Sequence, residues 1–191
     1  MIDHFSFIAS IYDWVIGKPD VERLKKILLL PVEGVMLDAG GGTGRVSILL
    51  RHLVSHVVVS DLSQSMLKRA KQKGGLLPLR AHAEVLPFPE ETFDRVLVVD
   101  SLHHFCNQEE ALCDLLRVLK PGGRLVIEEP DITRMTVKVV ALAEKLALMR
   151  SRFYPPRIIK DMIRNHGCSV SLEHRDKFRV WIIADKNHKK Q

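Results

Sequence analysis
The residues with the clearest chemical potential lie in LDAGGGTGRVS, residues 37–47, where Asp38 and Ala39 are followed by Gly40, Gly41, Gly42 and Gly44. Glycines at that density let backbone N–H groups come close to a ligand. Phosphate fits poorly. A dinucleotide fingerprint G-x-G-x-x-G begun at Gly40 needs glycine where Arg45 stands, and begun at Gly42 it needs glycine or alanine where Ser47 stands. No Gly-Lys-Ser/Thr follows at the spacing of a nucleotide-triphosphate loop. The loop is instead accompanied by acid: Asp38 at its head, then Asp61, Glu84 and Asp100 further along. Four carboxylates suit a cationic ligand better than a pyrophosphate. Asp61, about 20 residues past the loop, stands where a carboxylate accepts from ribose hydroxyls.

A second group is DSLHHF, residues 100–105. His104, and after it His103, are candidate general bases for an acceptor that must lose a proton. The alternative is that they orient their loop or cap the next helix. Two adjacent histidines with no spaced third ligand do not make a metal site. Cys106, Cys113 and Cys168 form no CxxC pair, so neither a metal nor a disulfide framework is expected.

These residues need elements to hold them. Apolar bursts bounded by Gly, Asp or Pro alternate with helix-period segments, the pattern of parallel strands joined by crossover helices. Strands are expected at 34–38, 56–60, 76–80 (an edge, because of Pro78), 94–99 and 123–129, with helices at 43–52, 63–73 and 108–119 between them. The sequence Lys120-Pro121-Gly122-Gly123 is expected to stop the third helix. Helices follow at 133–150 and 155–166, and segments 168–174 and 178–184 can pair as a final hairpin. The result is an α/β fold with a mixed sheet, mostly parallel, an antiparallel C-terminal hairpin and helices on both faces. Asp38, Asp61, Glu84 and Asp100 then fall after strands one to four, at the end where open α/β sheets bind ligands. A cationic nucleoside with a ribose and no phosphate describes S-adenosylmethionine.

Five segments carry a resemblance to a family: FSFIASIYDWV, VMLDAGGGTGRVS, VVVSDLSQSML, AHAEVLPFPEETFDRVLVVDSLHHF and LLRVLKPGGRLVIEEP. In order and spacing, over residues 5–130, they resemble the class I S-adenosylmethionine-dependent methyltransferases, close to the branch of ubiquinone/menaquinone-biosynthesis C-methyltransferases. The resemblance implies a Rossmann-like seven-stranded sheet, S-adenosylmethionine as cofactor and S-adenosylhomocysteine as product. It implies that Asp38 and the backbone of Ala39, Gly40, Gly41 and Gly42 hold the methionine portion, and that Asp61 takes the ribose diol. Leu62 would flank the adenine, and Met66 would pack on it or simply belong to the core. His82 stands where relatives commonly carry aspartate, so the adenine contact of His82-Ala83-Glu84 rests on the Ala83 N–H. Tyr12 would close over the cofactor, and Asp100 and Ser101 would face the reacting methyl.

The bulk numbers bound the rest. A chain of 191 residues with 46% hydrophobic residues suits one domain, 1–191. Within it, 1–30 is expected as an N-terminal helical cap segment, 133–150 as a lid helix and 186–191 as a frayed basic tail. The net charge of +6 owes part of its excess to that tail, a weak argument for nucleic acid. No signal peptide or membrane span is expected, and unpaired cysteines suit the cytoplasm. The leading reading is methyl transfer to a small molecule by a monomer or homodimer. The competing readings are an RNA or protein methyltransferase, and a non-catalytic S-adenosylmethionine-binding protein.

Overall fold
The computed structural model describes residues 19–135, 137–138 and 151–188. The expected lid helix therefore falls mostly outside the described residues, as does most of the N-terminal cap segment, and Tyr12 lies outside them. The elements are α1 (Val21–Ile27), β1 (Val32–Ala39), α2 (Ser47–Leu50) continued by a 3-10 turn (Arg51–Leu53), β2 (Val54–Asp61), α3 (Gln64–Gln72), β3 (Leu77–Arg80), β4 (Phe93–Val99), a 3-10 turn (Leu102–His104), α4 (Gln108–Val118), β5 (Leu119–Pro130), α5 (Pro156–Arg164), β6 (Cys168–His174) and β7 (Arg179–Lys186). The seven strands form one sheet in the order β3-β2-β1-β4-β5-β7-β6, with β3 at one edge. β1 to β5 run parallel, and β7 is antiparallel to both β5 and β6. Among the described residues no helix is long and apolar enough to cross a membrane.

Strand alternation divides the apolar residues between two cores. Leu37, Val58, Val96, Leu125 and Ile182 face α4 and α5, which contribute Leu112, Leu115, Ile159 and Ile163. Met36, Val57, Leu97, Val126 and Trp181 face the other way, onto Leu24 of α1, Leu50 of α2 and Leu67 of α3. Successive residues of one strand serve opposite cores because the side-chain period is two. Each fully buried leucine contributes about 1.5–3 kcal/mol by leaving water.

Local chemistry sets the boundaries. Ser63 caps α3, its hydroxyl accepting from the Met66 N–H at 3.4 Å, and Asn107 caps α4 in the same way through Glu110. α2 starts later than periodicity implies, because Gly42 and Gly44 take left-handed φ values of 55° and 67° that no helix accepts. Two expectations are corrected. The third helix stops at Val118, just ahead of Lys120-Pro121-Gly122-Gly123 as expected, but the strand expected from 123 already begins at Leu119, opposite Phe93, and the segment forms an irregularity before register resumes at Arg95 and Arg124. The tail is not frayed at 186–188. Lys186 ends β7, its ammonium donating to the Leu116 and Leu119 carbonyls at 2.7 Å each, where α4 leaves orphan acceptors.

The largest buried side chain among the described residues, Trp181, donates its indole N–H to the buried Glu128 at 2.7 Å. Trp181→Phe keeps most of the packing and removes that donor. It should lower the free energy of urea unfolding by about 1–3 kcal/mol, and an unchanged midpoint would show that the bond carries no stability.

Candidate functional site
The strand order places β1 beside both β2 and β4. Chain connections diverge there, opening a crevice at the carboxyl ends of the strands. Three expected groups converge on it. The glycine loop leaves β1, with the Gly40 and Gly41 N–H groups both donating to the Ser60 carbonyl of β2, at 2.8 and 3.1 Å. Asp61 ends β2, one oxygen accepting from the Gly42 N–H at 2.9 Å and the other from the Ser63 N–H at 2.8 Å. Ser101 follows β4, and its hydroxyl donates to the Ala39 carbonyl at 3.1 Å.

Contact this close explains two of the glycines. A Cβ on Gly40, whose φ is 68°, would lie 2.6 Å from the Ser101 hydroxyl. One on Gly41 would lie 2.6 Å from the Asp38 carboxyl group. Asp38 itself is tucked beneath the loop and accepts from the Ser47 hydroxyl at 2.5 Å. Among the described residues no hydrogen-bond donor reaches its other oxygen. Burial pushes the Asp38 carboxyl up to about 6, against the lowering effect of the Ser47 bond.

The turn after β4 rests on a carboxylate from β5. Glu129 is buried; one oxygen accepts from the Ser101 and Leu102 N–H groups at 3.1 and 2.8 Å. Its other oxygen lies 2.5 Å from His103 Nδ1. An ionised carboxylate only accepts, so the proton belongs on Nδ1. The His103 ring is buried and stacked on Phe153, with centroids 4.3 Å apart, and touches the His104 ring at 4.0 Å. His104 Nδ1 lies 3.1 Å from the Ser151 hydroxyl. Asp100, with a left-handed φ of 51°, forms ion pairs with Arg179 at 3.4 Å and Arg45 at 3.9 Å. Burial pushes its carboxyl up to about 6, with Arg179 pulling it back. Beneath it Glu128 accepts from Trp181, Arg175 and Arg179.

The four strand-end carboxylates thus differ in what they offer. Asp38, Asp61 and Asp100 surround the loop, whereas the Glu84 carboxylate accepts from the Asn107 N–H at 3.2 Å, at the start of α4. Ala83 is buried, but the His82 side chain is 61% exposed and turned toward Glu84 at 3.7 Å. Leu62 is exposed beside Asp61, and Met66 is buried on the inner face of α3. Sequence reasoning missed Glu128 and Glu129, although the rule that found the other carboxylates, acid at the end of an apolar strand, applies equally to β5. Arg179, Arg175 and Phe153 carried no such signal.

The residues present fit S-adenosylmethionine: a Cβ at Gly42 would meet nothing nearer than Asp61 at 3.9 Å, so a ligand can approach the backbone there, and one buried oxygen of Asp38 has no hydrogen-bond donor among the described residues.

Burial, reinforced by His103, pushes His104 down to about 3. The unfolded chain protonates this ring near its ordinary value, so its contribution to stability is present above about 6.5 and falls away as pH drops toward 3. Asp38 and Asp100 act oppositely, contributing most below about 4 and losing that contribution as pH rises through about 6. In NMR the His104 ring signals, assigned by their loss in His104→Gln, should hold their neutral positions from about pH 7.5 to about pH 5. A titration centred near 6 would contradict the burial.

Residues 37–127 match the methyltransferase domain family. Among curated proteins, the ubiquinone/menaquinone biosynthesis C-methyltransferase of Citrobacter koseri is 35% identical over 147 residues, 68% of this chain and 59% of that protein. The chain therefore spans about 59% of the length of the curated relatives it matches. A SAM-dependent methyltransferase from Thermotoga maritima has the same fold, with TM-score 0.76 at 23% identity over 96% of this chain and 98% of that one. Geranyl diphosphate methyltransferase, solved with GPP and sinefungin, gives TM-score 0.72 at 16% identity over 87% of this chain and 77% of its own. The chain thus carries a methyltransferase domain over residues 37–127 and has the sheet order and fold of the S-adenosylmethionine-dependent methyltransferases it resembles.

Proposed function
We propose that the chain transfers a methyl group from S-adenosylmethionine to a small-molecule acceptor. The observation that carries this reading is the convergence of the glycine loop, Asp61 and the Ser101–His104 turn at one crevice. The curated relatives, C-methyltransferases of quinone biosynthesis by name, support a small acceptor.

In this reading the loop backbone from Ala39 to Gly42 and the Asp38 carboxylate border the methionine portion, Asp61 accepts from the ribose hydroxyls, and Leu62 and Ala83 flank the adenine. Met66 supports that wall from the core side, and the exposed His82 and the Asn107-bound Glu84 stand at its margin. Bound S-adenosylmethionine supplies a methyl carbon already activated by the sulfonium. The protein's task is then chiefly to place the acceptor in line and exclude water, an effect of about 7–11 kcal/mol when orientation is complete. Asp100 and Ser101 form the floor on the acceptor side. His103, oriented by Glu129, or His104, which its burial makes the weaker base, takes a proton from acceptors that must lose one. Tyr12, outside the described residues, is the proposed cover. A soluble cytoplasmic location and a monomeric or homodimeric state complete the proposal.

Calorimetry with S-adenosylhomocysteine tests the site directly. Asp61→Ala should weaken binding by roughly tenfold or more, the cost of about 1.5–3 kcal/mol for a lost bond to a charged group, while circular dichroism shows an intact fold; Gly40→Val, whose side chain would overlap Ser101, should weaken it as well by displacing the turn after β4. Unchanged affinity in both variants would reject the site. Production of S-adenosylhomocysteine across a panel of small aromatic and quinol acceptors, with little dependence on salt, tests the reaction. Turnover only on RNA, falling steeply with salt, would favour a nucleic-acid substrate instead.

A further inference from the structure
Away from the crevice, a nucleophile is paired with a base. Cys113 lies on α4 and His166 just beyond α5, two helices that pack on the same face of the sheet. Cys113 Sγ is 3.0 Å from His166 Nε2. The other ring nitrogen, Nδ1, is 2.9 Å from the Met162 carbonyl oxygen. A carbonyl can only accept, so the neutral ring carries its proton on Nδ1 and turns the Nε2 lone pair toward sulfur. The Cys113 S–H is therefore the donor, in the arrangement that lets a thiol pass its proton to imidazole and react as thiolate.

Reagents can reach the pair, since Cys113 is half-buried and His166 exposed. The other two cysteines differ from it in opposite ways. Cys168 is buried, its sulfur faces the His166 carbonyl at 3.9 Å, and burial pushes its thiol up. Cys106 is exposed, but among the described residues no imidazole lies within hydrogen-bond distance of it. Exposure alone would favour Cys106, and the presence of a base favours Cys113.

We propose that Cys113 and His166 form a nucleophilic thiol–imidazole pair, and that Cys113 is a site of covalent modification by soft electrophiles and small disulfides. With an α-haloacetamide, sulfur attacks the methylene carbon, an S–C bond forms, the halide leaves with the bonding electrons, and the thiol proton passes to His166 Nε2. With a small disulfide, one S–S bond breaks as the mixed S–S bond forms, and the departing thiolate takes up the proton. Neither step requires the methyl donor or an acceptor, so the proposal stands or falls independently of the transferase reading.

The test is native alkylation of the full chain with limiting iodoacetamide at neutral pH, with rates at all three cysteines read by peptide mass spectrometry. Cys113 should react about tenfold faster than Cys106, and Cys168 slowest. His166→Asn should bring Cys113 down to the Cys106 rate or below and leave Cys106 unchanged. Oxidised glutathione should form its mixed disulfide at Cys113 first. Reaction at Cys106 as fast as at Cys113 in the unaltered protein, or a Cys113 rate indifferent to His166→Asn, would overturn the proposal. If that variant does not fold, the ratio in the unaltered protein decides alone.

Discussion
The contact between the Ser101 hydroxyl and the Ala39 carbonyl, 3.1 Å long, is the constraint around which the crevice is arranged. It brings the turn after β4 so close to the loop after β1 that a Cβ at Gly40 would overlap the serine. The glycine is therefore required by the fold's own packing as well as by any ligand. Ser101 can stand there because Glu129 accepts from its N–H and from that of Leu102. A buried carboxylate with this many donors is rigid, since each lost bond would leave charge uncompensated. The same carboxylate orients His103, so the geometry of the loop and of the histidine depends on one group.

Charge at the carboxyl ends of the strands is balanced in layers. Glu128, the deepest, is shared by Trp181, Arg175 and Arg179. Asp100 above it is paired with Arg179 and Arg45 at longer range. Asp38 has a single hydroxyl donor among the described residues, and burial pushes its carboxyl up to about 6. The acidity is thus graded from the arginine side of the sheet toward the loop, where donors are fewest. A ligand carrying an ammonium and a sulfonium adds charge where the protein supplies least of it, which lowers the carboxyl groups it approaches.

Much of this was legible in the chain. Alternation and helix period placed the described strands and most of the described helices to within a few residues, Ser63 announced its own capping role, Pro78 marked the edge strand, and the final hairpin was located through its first strand, Cys168–His174. Errors arose where backbone conformation competed with composition. Gly42 and Gly44 delayed α2. The Lys-Pro-Gly-Gly segment was absorbed into β5 because its partner strand tolerates a register irregularity. Lys186 has the composition of a basic tail, but the carbonyls at the end of α4 hold its ammonium in the fold.

By itself the sequence determined the element order, the glycine loop, its incompatibility with phosphate motifs and the acidic residues after strands one to four. These are local properties, written in spacing and residue type. Only the tertiary structure decided that Asp38 lies under the loop, that Glu84 serves the start of α4, that His82 faces outward, and that Glu129 governs His103. Glu129 and His103 are 26 positions apart, and they meet because β4 and β5 run parallel in register. Side chains brought together by strand pairing have no common pattern along the chain, so their partnership exists only once the sheet has formed.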